Sequence, residues 1–93
     1  MGKSARRKPK RLAEKLVLIR TALGLSQSEM LRHLEAEDQI DYTAISKYEL
    51  GRNEPSLIIL LQYARAANVS TDVLIDDALD LPAKLPAKPK QAC

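Results

Sequence analysis

The chain contains no tryptophan and no phenylalanine, only three tyrosines, and a single cysteine and a single histidine among its 93 residues. With so little aromatic bulk, the core has to be built from Leu, Ile, Val and Ala, which pack well in small helical domains, so an all-α fold is expected. The lone cysteine, Cys93, has no intramolecular partner for a disulfide, and the N-terminus lacks the basic, apolar and small-residue succession of an export signal. A cytoplasmic location is expected. No apolar run approaches the roughly 20 residues of a membrane-spanning helix, so no membrane association is expected. Catalytic chemistry is equally scarce: His33 stands alone, and no glycine-rich phosphate loop or metal-spaced ligand set occurs. We therefore expect no enzyme activity, no cofactor and no metal. Asp72, Asp76, Asp77 and Asp80 lack the spacing and central glycine of a calcium loop and read as a solvated helix face.

What is present is charge, unevenly placed. The net charge of +3 includes six cations within the first eleven residues, Lys3, Arg6, Arg7, Lys8, Lys10 and Arg11. Residues 12–80 hold six basic residues and all twelve acids, a net of −6. Lys84, Lys88 and Lys90 then alternate with Pro82, Pro86 and Pro89. This divides the chain into a flexible basic arm (1–9), a folded domain (10–81) and a flexible Pro/Lys tail (82–93). Both ends suit a polyanionic partner, or serve only to solubilise.

Hydrophobic periodicity and capping signals predict five helices, at about 10–23, 26–36, 41–50, 56–67 and 70–79. Leu12, Leu16, Ile19 and Leu23 recur at helical spacing, and Gly24 supplies a stop that accepts positive φ. Ser26-Gln27-Ser28-Glu29 has the S-x-x-E form of a capping box, after which Met30, Leu31 and Leu34 turn inward. Asp41 is a good N-cap for the third helix. There Ala44, Ile45 and Tyr48 are core candidates, Tyr42, Thr43, Ser46 and Lys47 take the outer side, and Gly51 ends the helix. Ser56 caps a fourth helix whose Leu57-Ile58-Ile59-Leu60-Leu61 run reads as buried on nearly every side. Asn68 stops it, and Ser70 opens a fifth helix with Val73, Leu74, Ile75, Ala78 and Leu79.

Two segments, Ile19 to Glu29 and Ile45 to Leu57, followed by Leu60, Leu61, Ala64, Ala67, Val69, Ser70 and Leu74, resemble the Cro and lambda-repressor-like (XRE) helix-turn-helix domains over about residues 12–76. The resemblance implies a five-helix DNA-binding domain for double-stranded DNA, with the third helix (about 41–50) in the major groove. It implies base contacts from Tyr42, Thr43, Ser46 and Lys47. Gln27 and Ser28, at the start of the second helix, and Arg52 and Asn53, past the third, would hold phosphates. It also implies a structural ion pair between Arg20 and Glu49 that orients the helices. One departure stands out: ten residues, Glu35 to Ala44, separate Leu34 from Ile45, a longer link than the family pattern. The extra residues, largely acidic and centred on 35–40, either extend the second helix by a turn or bulge outward.

These readings point to a sequence-specific transcriptional regulator, a repressor acting as a homodimer on a two-fold operator. Val73, Leu74, Ile75 and Leu79 are candidates for the dimer seam or for closing the monomer core. The acidic middle supports an alternative with the same fold, a protein-interaction module such as an antitoxin or a regulator-binding protein, with a protein as its partner.

Overall fold

A computed structural model describes residues 9–82 together with Lys84 and Leu85. Most of the basic arm (1–8) and of the tail (83 and 86–93) lies outside the described residues. Five α-helices follow one another: α1 (Leu12–Ala22), α2 (Gln27–His33), α3 (Tyr42–Glu49), α4 (Leu57–Ala67) and α5 (Thr71–Ile75). Among the described residues there is no strand. This five-helix order is the one that the sequence resemblance implies.

One core joins all five helices. Leu12, Leu16 and Ile19 of α1 meet Met30 of α2, Ile45 and Tyr48 of α3, Ile59, Leu60 and Tyr63 of α4, and Leu74 of α5. Burial of such side chains is worth roughly 1.5–3 kcal/mol each, enough to fix short helices that would be marginal alone.

The first four helices end in the same way. In each, a residue just past the helix takes a left-handed conformation, and its own N–H and that of the next residue reach back to free carbonyls, as in a Schellman motif. At α1 the turn residue is Gly24 (φ 72°), with Leu25 N–H on Arg20 O at 3.2 Å. At α3 it is Gly51 (φ 77°), with Arg52 N–H on Lys47 O at 2.9 Å. Asn68 does this for α4, and Glu35 (φ 57°) for α2.

The Glu35 turn corrects the expected helix boundary. Helix α2 stops at His33 instead of continuing to 36, and the link to α3 is an outward loop. The loop is pinned from within by Ala36, which is fully buried, and by Ile40, which packs against the core. Glu35, Glu37 and Asp38 face solvent.

Two further expectations need correction. Helix α4 is not buried all round: Leu57 is 81% exposed and Ile58 56%, because only the face of Ile59, Leu60, Tyr63, Ala64 and Ala67 meets the core. Helix α5 ends at Ile75 rather than 79, with Asp76 extended. Its early stop has a visible cause in Lys15, a buried lysine on α1. The Lys15 ammonium donates to Val73 O (2.7 Å), Asp76 O (3.0 Å) and Leu79 O (2.8 Å), drawing three carbonyls of the C-terminal segment onto one charge. Leu74 is fully buried and closes the monomer core, whereas Val73 is half-buried and Ile75 and Leu79 are exposed.

The same C-terminal segment caps α1. Arg11 offers no side-chain cap, and Asp77 supplies one from across the chain, accepting the N–H groups of Lys10 (2.9 Å) and Arg11 (3.0 Å). These bonds hold the Asp77 carboxyl below its ordinary pKa. Arg11 in turn pairs with Asp80 at 2.6 Å.

Candidate nucleic-acid interface

Helix α2 begins with the capping box legible in its sequence. Ser26 Oγ accepts the Glu29 N–H at 3.1 Å, and the Glu29 carboxylate accepts the Ser26 N–H at 2.8 Å. The Ser26 N–H donor is the main cause of a lowered Glu29 pKa. This fixes the first turn of α2, where Ser28 is exposed and Gln27 half-buried.

Arg20 and Glu49 meet in a two-pronged pair that ties α1 to α3. Arg20 Nε donates to Glu49 Oε2 at 2.6 Å and its Nη2 to Oε1 at 3.0 Å, while Nη1 donates to Leu25 O at 2.9 Å. The Glu49 side chain is 7% exposed and that of Arg20 19%, so water screens the pair little. The hydrogen bond to Glu49 raises the Arg20 pKa. Gln27 joins the same carboxylate, its amide donating to Glu49 Oε1 at 3.1 Å. One glutamate therefore fixes α1, α2 and α3 relative to one another. The sequence pattern pointed to the ion pair but carried no sign of the Gln27 link.

Helix α3 is capped by Asp41, which accepts the N–H groups of Thr43 and Ala44. Ile45 and Tyr48 anchor its inner face, leaving Tyr42, Thr43 and Lys47 exposed and Ser46 half-buried. Positions 43, 46 and 47 fall on one side by the helical repeat. The turn that closes α3 brings Arg52 and Asn53 back over Lys47, since both of their N–H groups reach the Lys47 carbonyl. Both side chains are exposed. Among the described residues, neither Lys47 nor Arg52 is held in an ion pair.

The eight residues expected to meet nucleic acid thus lie at three stations: the N-terminus of α2, the outer side of α3, and the turn after α3. Their exposure differs. Gln27 is engaged by Glu49, and the Thr43 hydroxyl by Asp41, so these two side chains are oriented from within. Lys15 and Asp77, which hold the base of the domain together, were missed by sequence reading. A lysine at helical spacing and an aspartate in an acidic run look like surface residues. Among the described residues, no group of His, Cys, Asp and Glu side chains is placed to hold a metal ion, and no helix is long and apolar enough to cross a membrane.

No curated protein matches this chain in sequence. Among solved structures, the chain is similar to the P22 c2 repressor in complex with synthetic operator 9T in the presence of Tl+. The TM-score is 0.62 at 24% identity, over 71% of this chain and 94% of the other. It is also similar to a hypothetical transcription factor, NHTF from Neisseria, with a TM-score of 0.58 at 25% identity over 78% of this chain and 86% of that one. The helix-turn-helix family model matches residues 16–74, from the middle of α1 into α5 and through every element just described. The chain belongs to the XRE-type helix-turn-helix family of DNA-binding regulators.

Proposed function

We propose that this protein is a sequence-specific repressor that binds duplex DNA as a homodimer, with α3 in the major groove. The observation that carries this reading is that Tyr42, Thr43 and Lys47 are exposed along one helix, with Gln27 tied to that helix through Glu49 and the exposed Arg52 and Asn53 in the turn that closes it. A major groove about 12 Å wide admits an α-helix, and the flanking stations suit the two phosphate strands that border it.

The roles divide by chemistry. Thr43 and Ser46 hydrogen-bond to base edges, Lys47 reaches guanine acceptors or a phosphate, and Tyr42 covers a thymine methyl or meets a phosphate. Ser28 and the free N–H groups of the first turn of α2 meet one strand, together with Gln27. Arg52 and Asn53 meet the other. The basic arm adds sequence-independent attraction. Two protomers place their α3 helices about 34 Å apart, one turn of B-DNA.

The test is a titration of a duplex selected from a random pool, at two salt concentrations. The reading predicts affinity at least ~10³-fold above that for unrelated duplex. It also predicts a linear fall of log K with log salt and two protomers per site by sedimentation. The net charge of −6 over residues 12–80 favours the second reading, a protein-binding module. Absence of duplex binding even at low salt would overturn the DNA-binding reading.

A further inference from the structure

Asp41 does more than cap α3. Three donors converge on one of its carboxylate oxygens, Oδ1: the Thr43 N–H at 3.1 Å, the Ala44 N–H at 3.3 Å, and the Thr43 hydroxyl. Two consequences follow from the hydrogen-bond inventory of these groups. A threonine hydroxyl has one proton, and here it is committed to Asp41, so Thr43 turns only lone pairs and its methyl group outward. A carboxylate has no donor, and Oδ2 of the exposed Asp41 takes no hydrogen bond among the described residues. Bonding to the Thr43 hydroxyl, first among its causes, lowers the Asp41 pKa and keeps the group ionised at neutral pH. The leading turn of α3 therefore carries two side chains that accept hydrogen bonds and offer none.

Base edges in the major groove differ in the complementary sense. Cytosine presents its N4 amino group and adenine its N6 amino group, whereas guanine presents N7 and O6, both acceptors. Resting on the DNA-binding reading above, we propose that Asp41 and Thr43 form an acceptor-only pair that selects an amino-bearing base, cytosine or adenine, on the strand they face and rejects guanine there. This adds Asp41 to the base-contacting residues and limits what Thr43 reads. It also gives a carboxylate at the interface a purpose. A negative charge close to phosphates weakens binding to all sequences alike, and only a site that places an amino group against it recovers the loss. Asp41 thereby trades general affinity for discrimination.

The full chain and the variants Asp41→Asn and Thr43→Val are each used to select duplexes from a random pool and are then titrated against the selected site, its single-base variants and unrelated duplex. Asn retains the carbonyl oxygen that caps α3, and Asp41→Ser provides a second capping residue should the first variant lose its helical circular dichroism. The wild type should enrich cytosine or adenine at one position per half-site. Asp41→Asn should bind unrelated duplex more tightly while losing roughly 5- to 150-fold of discrimination at that position, with guanine now admitted. Thr43→Val should lose discrimination without the general gain. A purely structural cap would produce neither the opposite movement of the two affinities nor the admission of guanine. Unchanged base preference in both folded variants would overturn the acceptor pair and leave the DNA-binding reading standing. Failure of the wild type to bind any duplex would remove both.

Discussion

Replacing Lys15 by methionine tests how the two ends of the domain are held together. The side chain is 1% exposed, and its ammonium lies 2.7, 3.0 and 2.8 Å from the carbonyl oxygens of Val73, Asp76 and Leu79. Methionine fills nearly the same volume and removes only the charge and its donors, so little of the effect should come from a cavity. Hydrogen bonds from a charged group contribute about 1.5–3 kcal/mol each, and part of that sum is offset by no longer burying an ammonium. The balance, about 2–4 kcal/mol of destabilisation, corresponds to a fall in Tm of roughly 10–25 °C for a domain of this size. Thermal and urea unfolding, followed by helical circular dichroism at fixed protein concentration, measure it. Amide exchange should accelerate first at residues 73–79, where the carbonyls lose their donor. A variant as stable as the wild type would show that the three contacts only balance the cost of burying the charge, and the account of why α5 ends at Ile75 would fail.

Other consequences follow from single residues. The Tyr63 hydroxyl is buried with no hydrogen-bond partner among the described residues, and burial is the main cause of its raised pKa. Tyr63→Phe should therefore leave stability unchanged or raise it by up to about 1 kcal/mol, and a clear loss in urea unfolding would reveal a partner for the hydroxyl. Glu35 holds a left-handed conformation that costs a side chain energy, so Glu35→Gly should stabilise the domain by about 0.5–1 kcal/mol. A lower Tm in that variant would count against the turn as described. Asp77, Asp41 and Glu29 all have lowered pKa values, the first through the N–H groups of Lys10 and Arg11. Depressed carboxylates stabilise the fold above their unfolded values, about 4, and the gain disappears as pH falls through the lower folded values. The urea midpoint should be level from pH 7 to about 5 and drop below about 4. Asp77→Asn should reduce that drop, and an undiminished acid loss in the variant would assign it elsewhere.

Most of the helical framework was legible because local chemistry and tertiary need agree. Gly24, Gly51 and Asn68 are residues that readily adopt positive φ, and each ends its helix where the sequence indicated. Glu35 makes the same turn without announcing it, since nothing in a glutamate favours the left-handed region, and α2 was read three residues too long. The apolar run of α4 misled in another way. Hydrophobicity reports what a residue tolerates, and Leu57 and Ile58 sit on the side the core does not cover. Lys15 and Asp77 were illegible because their roles depend on contacts more than fifty residues away in sequence, which no local pattern encodes. In the candidate site, the residue types along α3 were readable from capping and periodicity. The commitment of the Thr43 proton and of the Gln27 amide was not, because both depend on where Asp41 and Glu49 come to rest.

The central claim, that α3 reads the major groove, is tested most directly by methylation interference on a selected operator bound by the full chain. Methylation of guanine N7 crowds the major groove, and methylation of adenine N3 crowds the minor groove. Two clusters of N7 interference separated by about 10 base pairs, with weak or no N3 interference between them, are predicted for a dimer with one α3 in each of two successive major grooves. Interference confined to adenine N3, or binding indifferent to both modifications, would contradict it.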